Sequence, residues 1–164
     1  MTVVADSSPL VILTKLGYFH LLNNLFPRIC ISAEVHREVV VAGAGLAGAS
    51  EVAAAEWLEV RSLRNQAELL AAQQKYALGA GELSSILLAK ELRADTVLLD
   101  DYKARKLAAA EGLLVRGTAG LLEAFYLRGY LTDLPAAFRQ LVKDSYIDQR
   151  LLDRRLRALG LPHL

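Results

Sequence analysis

Short apolar runs recur along the chain, separated by stretches in which apolar residues return every three or four positions. Val3-Val4-Ala5, Ile29-Cys30-Ile31 and Val97-Leu98-Leu99 are too short for helices and too apolar for half-exposed strands, so each predicts a strand buried on both faces. Extended segments are expected at 2–5, 28–31, 57–62, 96–99 and 113–116. Helical spacing predicts helices over 9–26, 33–43, 66–76, 81–92 and 102–111, then over 119–128, 135–143 and 147–159. Strand and helix in alternation imply right-handed crossovers and an α/β fold with a mostly parallel sheet covered on both faces.

Local chemistry marks several boundaries. Ser8 before Pro9 has the form of an N-cap followed by proline at the first helical position, and Ser32 is placed to cap the next helix. Gly43-Ala44-Gly45 and Gly79-Ala80-Gly81 supply permissive backbone between elements. The small-residue stretch 42–55 is compatible with helix, loop or flap, and no repeat or low-complexity linker interrupts the chain.

With 164 residues, 54% of them hydrophobic, one domain with one sizeable core is expected. Charged residues at 23% give no support for disorder. No run approaches the roughly 18 apolar residues of a membrane helix, and Met1–Asp6 lacks a basic leader, so a cytoplasmic protein is expected. A single cysteine, Cys30, excludes an internal disulfide and a Cys-rich metal site. A net charge of +1 means that nucleic-acid binding would have to rest on local basic patches or a metal.

The acids change the picture. Asp6 directly follows the first apolar run and Asp100-Asp101 follow the run at 97–99, where a parallel strand delivers its last residue and ligand sites form. Glu82 falls in the first turn of a helix and shares a face with Ile86 and Ala89, so it should point towards the core or its edge. Glu38 has Val35 and Ala42 at i−3 and i+4, which places it beside an apolar stripe, with Glu34 one turn earlier as a competitor. Of Asp100 and Asp101, adjacent residues on opposite sides of a strand, only one is expected to face inward. Converging carboxylates repel unless a cation neutralises them, and hard oxygen donors suit Mg²⁺ or Mn²⁺. Such a site can lower the pKa of water and stabilise the oxygens of an in-line displacement, as phosphodiester hydrolysis requires.

Other chemistries lack their residues. His20, His36 and His163 show no metal-ligand spacing, Cys30 lies in an apolar run that favours an inert thiol, and the nucleophile elbow and phosphate-binding loop are absent. Gly43-x-Gly45-x-x-Gly48 is not led into by a strand, as a dinucleotide fingerprint requires.

Four segments, 3–10, 35–39, 79–86 and 98–105, together resemble the PIN-domain family, in particular small prokaryotic members related to VapC-type toxins. The likeness runs from residue 2 to about residue 130, with a helical tail over 131–164, and implies a three-layer α/β/α PIN fold as a single domain. It further implies a Mg²⁺- or Mn²⁺-dependent ribonuclease, the toxin of a type II pair, with RNA as substrate, a small antitoxin as partner and a homodimeric assembly. By motif, Asp6 matches the first acid, Glu38 the second, Glu82 the third in place of the common Asp, and Asp100 or Asp101 the fourth. Ser7 or Ser8 can support an acid or a metal-bound water, or simply cap a helix. Arg105, four residues after Asp101, can orient that carboxylate, meet a phosphate or form an ordinary salt bridge. Lys103 and Lys106 add positive charge where an RNA backbone would run. In the tail, Leu152, Leu156 and Leu159 are spaced for one packed face, while the arginines over 150–157 suit a dimer contact, an RNA-guiding edge or an antitoxin groove.

Two rivals remain. A haloacid-dehalogenase-type phosphatase would need a second Asp two positions after Asp6, where Ser8 stands. A PIN scaffold reduced to a binding or assembly module would have no use for a set of mutually repelling acids.

Overall fold

The computed structural model describes residues 1–144 and 147–164 and divides into two compact units, Met1–Gly117 and Thr118–Leu164. In the first unit β1 (Val3–Ala5) leads into α1 (Ser7–Leu16) and α2 (Leu21–Leu25), and β2 (Ile29–Ser32) into α3 (Ala33–His36). The helix continues from α3 as a π-helical segment, Arg37–Ala42, and then come α4 (Ala49–Ala54), β3 (Leu58–Arg61), α5 (Gln66–Lys75) and α6 (Ala80–Leu92). β4 (Thr96–Leu98), α7 (Tyr102–Ala110) and β5 (Val115–Arg116) complete the unit.

The strands form one all-parallel sheet flanked by helices, in the order β3-β2-β1-β4-β5. The chain therefore builds outward from β1 in one direction and then returns to its other side, so β1 and β4 flank the point where the strand order reverses, which is where open parallel sheets bind ligands. Register fixes what meets there. Ala5 pairs with Leu98, and the Asp6 N–H donates to the Leu98 carbonyl at 3.0 Å. The acids after these two strands thus emerge at the same level.

Alternation along the strands supplies the core. Val4, Cys30, Val97 and Leu99 pack with Leu69 of α5, Leu83, Ile86 and Ala89 of α6, and Ala104 and Ala108 of α7. The neighbouring positions Val3, Ala5, Ile29, Ile31 and Leu98 are also buried, so the central strands are covered on both faces, as their continuous apolar runs imply. Burial pushes the Cys30 thiol pKa up, consistent with an inert core cysteine.

Three local expectations change. The helix over 9–26 is two helices, because Gly17 takes a left-handed conformation (φ 84°) and the Tyr18 N–H closes on the Leu13 carbonyl at 2.8 Å. That first helix begins at Ser7 with Asp6 as N-cap, so Ser8 lies inside it and Pro9 in its first turn, where no backbone N–H is needed. The stretch 42–55 resolves into turns followed by α4. Ser32 does cap α3: its Oγ accepts from the Val35 N–H at 3.0 Å and shares a buried 2.7 Å hydrogen bond with Ser84 Oγ of α6.

The second unit consists of α8 (Thr118–Leu127), α9 (Leu134–Asp144) and α10 (Gln149–Ala158). Its buried side chains include Leu121, Leu122, Phe125, Phe138, Leu152 and Leu156, and Glu123 meets Arg155 at 3.0 Å. Among the described residues no helix is long and apolar enough to cross a membrane.

The double duty of Ser32 makes it a test of how firmly the helix bearing Glu38 is tied to α6. Ser32→Ala removes a cap and one buried partner of Ser84, and is expected to lower unfolding stability by about 1–2 kcal/mol in urea denaturation.

Candidate active site

Asp6 is the centre of the site because it is the acid that the sheet buries. Its side chain is 3% exposed, and its carboxyl pKa is pushed up from 3.8 to about 7. Burial is the largest cause. The Ser7 N–H opposes it by bonding the carboxylate, while the negative charges of Glu82, Glu38 and Asp100 push further upward. Asp6 therefore feels three of the other acids singled out from sequence at the carboxyl edge of the sheet.

Glu38 comes from the π-helical segment and reaches over the start of α1. Ser7 Oγ donates to Glu38 Oε2 at 2.5 Å. Glu38 and Ala42 are exposed while Val39 is buried, so the α-helical stripe expected from Val35 and Ala42 does not continue through this wider turn. The Glu38 and Asp6 carboxylates converge on Gly81, the second residue of α6. A Cβ at Gly81 would stand 2.5 Å from Glu38 Oε2 and 3.3 Å from Asp6 Oδ1.

Glu82 is next to this point but turned back on its own helix: its Oε2 accepts from the Gly79 N–H at 3.0 Å, closing the N-terminus of α6. Asp100 lies half-buried after β4, and Arg105 stands beside it. Arg105 Nη1 donates to the Leu99 carbonyl at 3.3 Å, and a Cβ on Gly117 would collide with Arg105 Nη1 and lie 3.0 Å from Asp100 Oδ1. Asp101 is exposed and serves as N-cap of α7, its Oδ2 accepting from the Ala104 N–H at 2.9 Å. The structure thus separates the pair, with Asp100 electrostatically coupled to Asp6 and Asp101 holding a helix. Lys103 is exposed on α7, and Lys106 lies over the Tyr102 ring at 5.6 Å. Ser8 is half-buried one residue beyond the Ser7–Glu38 contact.

Among the described residues no three His, Cys, Asp or Glu side chains already close on one ligand point, and Glu82 is engaged at Gly79. The donor set nevertheless fits a hard divalent cation. It consists of carboxylate oxygens alone, its buried member has a carboxyl pKa raised first by burial and then by its neighbours' charge, and a side-chain-free position at Gly81 leaves the space between two of them open. Asp6, Glu38 and Asp100, the acids around this opening, would be the residues to hold such an ion, and Glu82 would join them only by leaving its cap at Gly79.

Gly81 and Gly117 are the residues that sequence reasoning missed. Both look like ordinary turn glycines, and only the close approach of carboxylates and a guanidinium reveals why a side chain is excluded. For Gly81 the signal available in the sequence was its place directly before Glu82, while Gly117 stands beside no acid in the sequence.

The sequence model of a family described as the PIN domain matches residues 2–161. In fold the chain is similar to a PilT N-terminus domain protein from the hyperthermophilic archaeon Sulfolobus solfataricus P2, with a TM-score of 0.55 and 19% identity, over 76% of this chain and 92% of that one. No curated protein matches the chain in sequence.

Two outcomes follow from the geometry. Between pH 4 and 7 the folded chain holds the Asp6 proton more tightly than the unfolded chain does, so this carboxyl lowers stability as pH rises, with the full penalty above pH 7. A shift from 3.8 to about 7 corresponds to a penalty on the order of 4 kcal/mol. In EDTA, Asp6→Asn should therefore melt higher than the wild type at pH 8, by a margin that shrinks towards pH 4. Gly81→Ala should leave melting unchanged or slightly raised, since alanine favours the helix. It should weaken Mn²⁺ binding by roughly 10–100-fold in calorimetric titration, because the methyl group displaces the Glu38 carboxylate.

Proposed function

Because the chain belongs to the PIN-domain family, whose members are generally nucleases that use divalent metals, we propose that it hydrolyses RNA phosphodiester bonds with Mg²⁺ or Mn²⁺. The observation that carries this reading is the buried Asp6 carboxyl, raised to about 7 by burial and by three surrounding acids at the switch point of the sheet. A structural carboxylate gains nothing from such surroundings, whereas a metal ligand depends on them.

When bound, the cation supplies a lowered water pKa and neutralises charge on the phosphate undergoing displacement. The protein's own groups prepare that chemistry. Asp6 must give up its proton to act as a ligand, so metal affinity and cleavage both rise with pH through the neutral range. Ser7 holds Glu38 Oε2 and so sets the direction of that carboxylate. Arg105, anchored on the Leu99 carbonyl, keeps positive charge on the Gly117 side of Asp100. Asp101 secures the N-terminus of α7, from which Lys103 and Lys106 offer positive charge to the RNA backbone. No protein nucleophile is needed, and the Ser7 hydroxyl is already spent on Glu38.

The likeness of the acid motifs to those of VapC-type toxins supports placing this activity in the toxin half of a toxin–antitoxin pair, with a small antitoxin as its partner.

Purified protein incubated with labelled RNA is expected to cleave it with Mn²⁺ or Mg²⁺ and not in EDTA. Asp6→Asn should reduce cleavage by about 100-fold or more. Metal-independent cleavage, or equal cleavage by the variant, would overturn the mechanism. Absence of cleavage across a panel of RNAs would favour a PIN scaffold that binds without cutting.

A further inference from the structure

A cleft of about 400 Å³ opens directly beside the acids and is not used by the chemistry above. It shares Glu38 and Ser7 with the site and extends between α1 and the turn after the π-helical segment. Val11, Ile12, Val39, Leu46 and Ala47 give it apolar walls, while Ser8 and Lys15 supply its other polar groups.

Its walls are held in place. Gly48, at φ +96°, seats the turn on α1 and the π-helical segment, where its Cβ position would meet Val11 Cγ2 at 3.4 Å and Val39 Cγ1 at 3.6 Å. Val39 is 4% exposed and forms a fixed floor. Leu46, between the left-handed Gly45 and Gly48, is 71% exposed and so remains available to cover a ligand. A mostly apolar cleft of this size, with a few convergent polar groups, has the usual form of a small-molecule subsite.

We propose that this cleft is a nucleobase subsite, in which the nucleoside next to the scissile phosphate places its base against Val11, Ile12, Val39 and Leu46. The inference rests on the ribonuclease reading above. Its occupant follows from continuity and charge. Glu38 belongs both to the acid cluster and to the cleft wall, so a strand with one phosphate at the acids has its neighbouring nucleoside at the cleft mouth. At the far end, Lys15 lies seven residues after Ser8 on α1, about 10 Å along the helix axis, and offers a cation to the following phosphate. Ser8 is placed at the wall to hydrogen-bond a base edge, and apolar side chains can sandwich a splayed base. This subsite would give the enzyme a base preference at one position beside the cut.

Methyl NMR titrations of the full chain with adenosine, guanosine, cytidine and uridine test the cleft without depending on the metal, since these probes are uncharged. At least one nucleoside should shift the methyl signals of Val11, Ile12, Val39 and Leu46, while ribose should not. Ala47→Trp, which fills the cleft from an exposed turn position, should weaken that binding about tenfold or more at an unchanged melting temperature. In RNA cleavage the same variant should alter the base preference beside the cut, and Lys15→Gln should raise KM more than it lowers kcat. Absence of nucleoside shifts, or the same shifts in Ala47→Trp, would overturn the subsite even if RNA is cut. Shifts caused by a leucine- and glutamate-rich peptide, with none from nucleosides, would make the cleft a protein-docking groove and also overturn it. Base-dependent shifts in a protein that cleaves no RNA would uphold the subsite while the hydrolysis reading fails.

Discussion

A carboxylate buried at the end of a central strand is the constraint around which this chain is organised. Asp6 cannot move away from the sheet: its backbone N–H is hydrogen-bonded to the end of β4, its residue caps α1, and its neighbours on both strands are fully buried. Every other acid of the site must therefore approach it, and each approach makes its ionised form less favourable. Hydrophobic burial elsewhere in the sheet supplies the stability against which that repulsion is set. The parallel register between β1 and β4 is what keeps the arrangement compact, because a slip of one residue would turn Asp6 to the opposite face.

The remaining polar groups divide into those that aim an acid and those that free space for one. Ser7 aims Glu38, and Arg105, tied to the Leu99 carbonyl, shares with Asp100 the space that Gly117 leaves open. Gly81 and Gly117 free space, for reasons of proximity rather than of backbone conformation. Glu82 and Asp101 spend their carboxylates on helix termini, which favour negative charge through the helix dipole. The acids of the site thus perform two physical tasks, and adjacent residues such as Asp100 and Asp101 fall on different sides of the division.

Much of this was legible in the sequence because it rests on strong, local signals. Val3-Val4-Ala5 and Val97-Leu98-Leu99 can hardly be anything but buried strands, and an acid directly after each is pinned to the sheet edge by peptide geometry. Ser32 before Ala33 is a cap on the same grounds. Gly17 was legible as a helix stop only in retrospect, since the apolar pattern of α1 runs on into the next short helix. The direction of Glu38 was not legible, because the stripe drawn through Val35 and Ala42 assumes 3.6 residues per turn, and the chain widens there. Which of Asp100 and Asp101 faces Asp6 depends on where β4 ends, a boundary set by pairing with neighbouring strands rather than by local composition.

The widened turn has a mechanical side as well. Gly43 ends it so tightly that a Cβ there would sit 2.6 Å from the Val39 carbonyl and 3.0 Å from that of Glu38. The backbone that carries Glu38 is therefore in near contact with the first residue of the turn bearing Leu46. The residue that leads to the cleft mouth and the residue that carries the carboxylate thus belong to one tightly closed turn, so a side chain added at Gly43 would press on the backbone of both Glu38 and Val39.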